Sequence, residues 1–178
     1  MNTKVLETER LILRPFTLED ADAMYNNWAS DPLTPRYITW DVHENVEVTK
    51  KIIELWISEY ENGSYNWLVE LKNNHEPIGS ISVIYDKDLV VEIGYCYGSK
   101  YWGNGYATEA LRKVIEFFLL EKNYYMVEAK HISGNPASGR VMEKAGMKKE
   151  TILRNRKINK DTKERNDLVI YSITKEEL

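Results

Sequence analysis

The residues whose types and spacing carry the most chemistry are Lys100-Tyr101-Trp102-Gly103-Asn104-Gly105-Tyr106-Ala107-Thr108-Glu109-Ala110. An apolar run feeds a loop with glycines two apart, and an amphipathic pattern begins at once. Glycine permits positive φ and lets a ligand approach the backbone closely. The first four N–H groups of a helix have no intrahelical acceptor. Together these features offer a site for an anion such as a phosphate or pyrophosphate. A loop that merely needs glycine explains the spacing equally well, because short glycine motifs say little alone. Two other phosphate loops fit badly. A dinucleotide fingerprint needs a third glycine where Thr108 stands, and a triphosphate loop needs a Gly-Lys-Ser/Thr ending that is absent.

Two carboxylates stand out next. Glu92 lies between Val91 and Ile93, on the strand face that carries Val90, Gly94 and Cys96. A carboxylate in an apolar strand is costly unless it is paired, hydrated or functional. It is the first candidate for a general base, against the plainer reading of a solvent-facing position. Glu128 is the second candidate, against a surface pair with Lys130 or Lys148. Asn135 and Ser138 flank Pro136 in the pattern of a helix start; the same two side chains suit hydrogen bonding to a ligand. Cys96 is the sole cysteine, so an intramolecular disulfide is excluded. With no neighbouring histidine it reads as a small core residue rather than an acyl carrier. His43, His75 and His131 are far apart and lack metal-ligand spacing, so no metal site is expected. His131 is retained only as a remote proton relay.

The elements that must position these groups follow from periodicity. Arg10-Leu11-Ile12-Leu13-Arg14 alternates and ends at Pro15, which predicts a half-buried strand. Thr17 starts a helix that runs to about residue 28. A second helix spans 44–61, stopped by Asn62-Gly63. Strands are expected over 65–71, 78–85 and 89–97, with turns at 73–74 and 86–88. A helix carries Ala107, Ala110, Leu111, Val114 and Phe118 on one face. A strand over 126–132, a helix opened by Asn135 and closed by Gly146, and strands over 147–153 and 167–173 complete the chain. The polar stretch 155–166 reads as a long hairpin loop. This order predicts an α/β fold, a three-layer sandwich on a mixed sheet.

The chain has 178 residues, a formal charge of −4, and 43% apolar residues. One domain spanning 1–178 is expected, with enough core to fold without disulfides. There is no run of about 18 apolar residues for a membrane span and no apolar signal-peptide core, so the expected setting is reduced and cytoplasmic. Mild acidity argues against nucleic-acid binding by the whole surface. Trp28, Trp40, Trp56 and Trp67 read as core or dimer contacts.

The glycine segment resembles the acetyl-CoA pyrophosphate loop of the GNAT N-acetyltransferase superfamily, Gln/Arg-x-x-Gly-x-Gly/Ala, with Lys100 in the first position. Glu9-Arg10-Leu11-Ile12-Leu13-Arg14-Pro15 is similar to the opening strand of the ribosomal-protein N-terminal (alanine/serine) acetyltransferase branch. Asn135-Pro136-Ala137-Ser138 through Glu143-Lys144-Ala145-Gly146-Met147 resembles that branch's Asn-x-x-Ser helix, with Met147 in place of Phe. The resemblance implies an α/β/α sandwich around a mixed, mostly antiparallel, splayed sheet. It implies acetyl-CoA as cofactor, with coenzyme A as product, and transfer to a primary amine by direct attack in a ternary complex.

Residue by residue, backbone N–H groups of Trp102, Gly103, Asn104, Gly105, Tyr106, Ala107 and Thr108 would hold the pyrophosphate. The backbone of Tyr95, Cys96 and Tyr97 would bond the pantetheine arm in the gap between two splayed strands. Asn135 and Ser138 would face the thiol end, and Glu92 or Glu128 would act as base. Met142 stands where many members carry a proton-donating tyrosine, which leaves Ser138 to assist the leaving thiolate. Tyr37 and Trp40, and the stretch 155–166, are candidates to line the acceptor site. The partner implied is an amine acceptor, a protein N-terminus or a small molecule, with no nucleic acid or membrane; homodimers are common in the family. Two alternatives stand beside this reading: a non-catalytic acyl-CoA-sensing module, and an acetyltransferase for an antibiotic or polyamine.

Overall fold

Alternation sets the first strands. In the computed structural model, which describes residues 3–34, 40–159 and 162–178, β1 (Leu6–Glu7) pairs antiparallel with β2 (Leu11–Pro15), Leu6 opposite Leu13. Leu11 and Leu13 are fully buried. The chain divides into two compact units, one of residues 1–83 with 95–106 and one of residues 84–94 with 107–178.

In the first unit, the expected helix from Thr17 is split into three short turns: a 3-10 turn (Leu18–Asp20), α1 (Ala21–Met24) and a π turn (Tyr25–Ala29). The wider last turn accompanies full burial of both Trp28 and Ala29, neighbours that a regular helix would aim about 100° apart. The Asp20 carboxylate caps the start by accepting from the Thr17 N–H at 2.7 Å. It also takes two hydrogen bonds from Arg14, at 2.7 and 2.9 Å, while Arg14 Nε donates to Glu70 at 2.8 Å. Burial favours the neutral acid, yet Arg14 and the Thr17 amide outweigh it and hold Asp20 below the ordinary carboxylate range. Helix α2 (Val46–Glu59) begins at Asn45, whose Oδ1 accepts from the N–H groups of Glu47 and Val48. It stops at a 3-10 turn and Gly63, with φ +88.

Strand β3 (Asn66–Leu71) pairs antiparallel with β2 and with β4 (Pro77–Lys87). The unit's core joins Phe16, Ala21, Met24, Trp28, Ala29, Ile53 and Leu68, against which Trp40, Trp56 and Cys96 pack. Trp67 is buried too, its Nε1 donating to the Lys4 carbonyl. The Trp40 and His43 rings meet at a tilt, their centres 5.2 Å apart. Tyr37 lies outside the described residues.

The β4–β5 hairpin turns later than the sequence suggests. Asp88 and Leu89 both adopt positive φ, the geometry of a tight primed turn, so β4 reaches Lys87 and β5 runs Val90–Tyr97. Helix α3 (Tyr106–Glu116) buries Ala110, Leu111, Val114 and Ile115 and ends in a π turn over Phe117–Glu121.

In the second unit, β5 lies parallel to β6 (Met126–Ile132). Their ladder runs from Val90 opposite Met126 to Ile93 opposite Ala129. Helix α4 (Pro136–Lys144) leads into β7 (Lys148–Ile158) and β8 (Arg165–Thr174). The strands order β5-β6-β8-β7, with β8 antiparallel to both neighbours. The elements form the mixed, mostly antiparallel α/β arrangement that the sequence implies. One expectation is corrected. Residues 155–158 and 165–166 are strand, because β7 and β8 extend past a register shift and pair again at Lys157–Asn166 and Ile158–Arg165. Asn155 takes φ +55 at the shift, its N–H donating to Asp167 and its carbonyl accepting from Arg165.

Candidate active site

The glycine loop sits in the first unit. After β5 a 3-10 turn (Ser99–Tyr101) gives way to Trp102, and α3 starts at Tyr106. Gly103 and Gly105 both hold φ +80, which only glycine adopts cheaply. A Cβ at Gly103 would meet nothing within 4 Å, and one at Gly105 would meet only Arg10 Nη2 at 3.5 Å. Residues 102–105 are exposed. The open backbone, the helix start behind it and the nearby guanidinium suit a diphosphate.

Several side chains fix the loop in place. The Asp31 carboxylate accepts from the Ser99 N–H at 3.0 Å. The Tyr101 hydroxyl donates to Glu76 at 2.5 Å, and Lys100 Nζ donates to Glu76 at 3.3 Å and to Asn27 Oδ1 at 2.9 Å. Tyr101, then Lys100, hold Glu76 below the ordinary carboxylate range. Trp102 Nε1 donates to the Tyr97 carbonyl at 2.7 Å. Arg10 Nη1 donates to the Asn104 carbonyl at 3.1 Å, and its guanidinium lies 4.7 Å from the Tyr106 ring centre. Arg10 and Glu76 are loop residues that the sequence reading missed as such. The Arg10 signal was present in the opening-strand motif; Glu76 gave none.

Tyr95, Cys96 and Tyr97 lie on the last residues of β5. Gly79 lets β4 run tight against them: a Cβ there would sit 2.3 Å from the Cys96 carbonyl oxygen. Burial pushes the Cys96 thiol far above its ordinary value, with the Asp31 charge adding. A thiol held protonated is a poor nucleophile.

The candidate carboxylates sit in the second unit. Glu92 on β5 is directly opposite Glu128 on β6, and the parallel pairing points both to the same face. Lys130, two residues along β6, reaches both: its Nζ is 2.6 Å from Glu92 Oε2 and 3.7 Å from Glu128 Oε2. Burial alone would lower the Lys130 ammonium, but the hydrogen bond and charge of Glu92, then Glu128, raise it. Lys148 instead pairs with Glu177 at 2.7 Å.

At the start of α4, Asn135 Oδ1 accepts from the Ser138 N–H at 3.4 Å, so the capping role is filled and the Asn135 amide N–H groups remain for other partners. Met142 is buried in the core. His131 Nδ1 donates to the Ile132 carbonyl at 2.8 Å, and its Nε2 would meet a Cβ on Gly139 at 2.7 Å. The imidazole thus packs beneath α4. Among the described residues no group of three or more His, Cys, Asp or Glu side chains could hold a metal ion.

Comparison with known proteins gives a consistent result. The family described as "Acetyltransferase (GNAT) domain" matches residues 10–148. The uncharacterized N-acetyltransferase YoaA of Bacillus subtilis (strain 168) is 32% identical over 174 residues, covering 96% of this chain and 97% of YoaA. An acetyltransferase (GNAT family) structure from Bacillus anthracis superposes with TM-score 0.85 at 27% identity, covering 98% of this chain and 100% of its own. The ribosomal-protein-S5-alanine acetyltransferase from Vibrio fischeri shares the fold at TM-score 0.81 and 21% identity, with 97% of each chain covered. So does the microcin C7 self immunity acetyltransferase MccE in complex with acetyl-CoA and AMP, at TM-score 0.82 and 20% identity, covering 94% of this chain and 93% of MccE.

Proposed function

The chain belongs to the GNAT acetyltransferase family, and from that premise we propose that it acetylates the N-terminal α-amine of a polypeptide by direct attack in a ternary complex. It is an acetyltransferase, and its acetyl donor is acetyl-CoA. When bound, acetyl-CoA supplies a thioester whose carbonyl carbon is open to a neutral amine. The observation that carries the reading is the open glycine backbone at 103–105 ahead of α3.

The proposed roles are these. Amides of Trp102 to Thr108 hold the pyrophosphate, with Arg10 adding positive charge. Tyr95, Cys96 and Tyr97 present backbone groups to the pantetheine arm. Asn135 donates its amide N–H, and the Ser138 hydroxyl assists the leaving sulfur in the absence of a tyrosine at Met142. Glu92 takes the amine proton, directly or through water. Its hydrogen bond to Lys130 uses Oε2, leaving Oε1 for that task; Glu128 is the reserve base. An α-amine with pKa about 8 is partly neutral at pH 7, whereas a lysine at about 10.4 needs a far stronger base. The fold likeness to a ribosomal-protein-S5-alanine acetyltransferase supports the same acceptor class.

We extend the reading to one working domain over 1–178, in the cytoplasm, as a homodimer. The family match at 10–148 draws on residues of both units, which supports a single domain. Among the described residues no helix is long and apolar enough to cross a membrane. A thiol-release assay across ribosomal-protein N-terminal peptides and small amines tests the acceptor. Turnover on peptides with a free α-amine is expected. Turnover confined to polyamines or antibiotics would overturn the acceptor class, and acetyl-CoA binding unaffected by Gly105→Val would overturn the loop's role.

A further inference from the structure

The segment from Lys148 to Arg165 holds eight Lys or Arg and three Asp or Glu, a net +5, in a chain whose total is −4. The rest of the chain is therefore −9. Within it, Lys148–Ile158 is β7 and Arg165 is the first residue of β8. Strand β7 is the last in its sheet and pairs only with β8. A strand in that position presents unpaired backbone N–H and C=O groups along its outer side. Every residue of β7 except Leu153 is exposed, Ile152 and Ile158 included. Lys148 is tied to Glu177, but among the described residues Arg154, Arg156 and Lys157 make no ion pair.

From this juxtaposition we infer that β7 is a docking edge for an acidic, extended segment of a polypeptide, which adds as a further strand. The backbone edge supplies affinity that is independent of side chains, and Arg154, Arg156 and Lys157 select carboxylates. Arg154, Arg156 and Lys157 cluster at the register shift around Asn155, just before the ladder resumes at Lys157 opposite Asn166, so carboxylates of the added segment meet cations grouped at one point of the edge. A second copy fits poorly, because β7 against β7 sets like charges face to face. Single-stranded nucleic acid fits poorly as well. Residues 148–165 contain no aromatic side chain on which a base could stack, and nucleotides cannot use a strand edge. The partner's identity as the acceptor itself rests on the polypeptide-acceptor reading above; the docking does not.

The test uses the full chain and a short fluorescent peptide of alternating Glu and Val, acetylated at its N-terminus so that it cannot be turned over. Anisotropy should show binding that weakens with salt. Arg154→Gln/Arg156→Gln/Lys157→Gln should weaken it about tenfold with an unchanged thermal midpoint. Bound peptide should slow hydrogen exchange at β7 amides. Absence of binding, equal binding by the triple variant, tighter binding of a single-stranded RNA of equal charge, unprotected β7 amides, or a dimer that buries β7 would each overturn the inference. Capped-peptide binding without turnover on any free peptide would overturn the acceptor class alone; turnover on free peptides with no binding of the capped peptide would overturn the docking edge alone.

Discussion

Glu92 was legible as a residue and illegible as a neighbour. A carboxylate between Val91 and Ile93 is visible in the sequence, but Lys130 lies 38 positions away and meets it only through the register of a parallel ladder. Sequence offered Lys130 or Lys148 as the partner of Glu128; the structure gives Lys130 both carboxylates, Glu92 closer, and sends Lys148 to Glu177. Glu92→Gln should lower kcat by about 10² or more, with the deficit greatest near neutral pH and acetyl-CoA affinity nearly intact. A wild-type pH–rate profile in that variant would remove Glu92 from the base role. Gly103 yields a second residue-scale prediction. Its Cβ space is empty, so Gly103→Ala should cost stability only the left-handed strain of about 1–2 kcal/mol. Acetyl-CoA affinity should fall further than that strain explains, because the methyl group occupies the ligand's approach. Calorimetric titration beside a denaturant midpoint separates the two losses.

Among the elements, the glycine loop announced itself because a strand, two glycines and a helix fall in sequence order. What holds it did not, since Glu76, Asn27 and Asp31 come from distant segments. Lys100 is engaged by Glu76 and Asn27, which makes it a positioning residue for the loop. Lys100→Met and Glu76→Gln should each weaken acetyl-CoA binding and speed hydrogen exchange over 99–105. The double variant should be no worse than either, a coupling of about 1 kcal/mol. Loss in Lys100→Met with none in Glu76→Gln would instead make Lys100 a phosphate ligand. The close β4–β5 approach is equally definite. Gly79→Ala forces a methyl onto the Cys96 carbonyl and should cost about 1–3 kcal/mol, read from urea midpoints. The strands β7 and β8 were expected, but their outer ends, 154–158 and 165–166, escaped the sequence reading because they are polar save for Ile158, and period-2 hydrophobicity is the signal that marks a strand.

For the whole molecule, the element order was enough to give the fold, because each buried face was written in its own periodicity. Single titrating groups were not, since burial is a property of the packed chain. His43 is buried, with Nδ1 2.8 Å from Thr49 Oγ1, and burial lowers its pKa below 6.5. The unfolded chain therefore binds this proton first as pH falls. Stability should drop between about pH 6.5 and the lower folded-state value, and not change further from this group below it. His43→Gln should flatten the thermal midpoint over that window; parallel curves would exclude His43 as the cause. Asp20 acts in a lower window. Its depressed folded pKa gives stability present above the ordinary value of 3.8 and lost as pH falls through the folded value. The chain's one sulfur nucleophile, Cys96, packs against the first unit's core with its proton firmly held. A chromogenic disulfide in a turnover assay will thus register the coenzyme set free while the protein stays nearly silent, and any slow colour from the protein itself becomes a clock for the breathing of that strand.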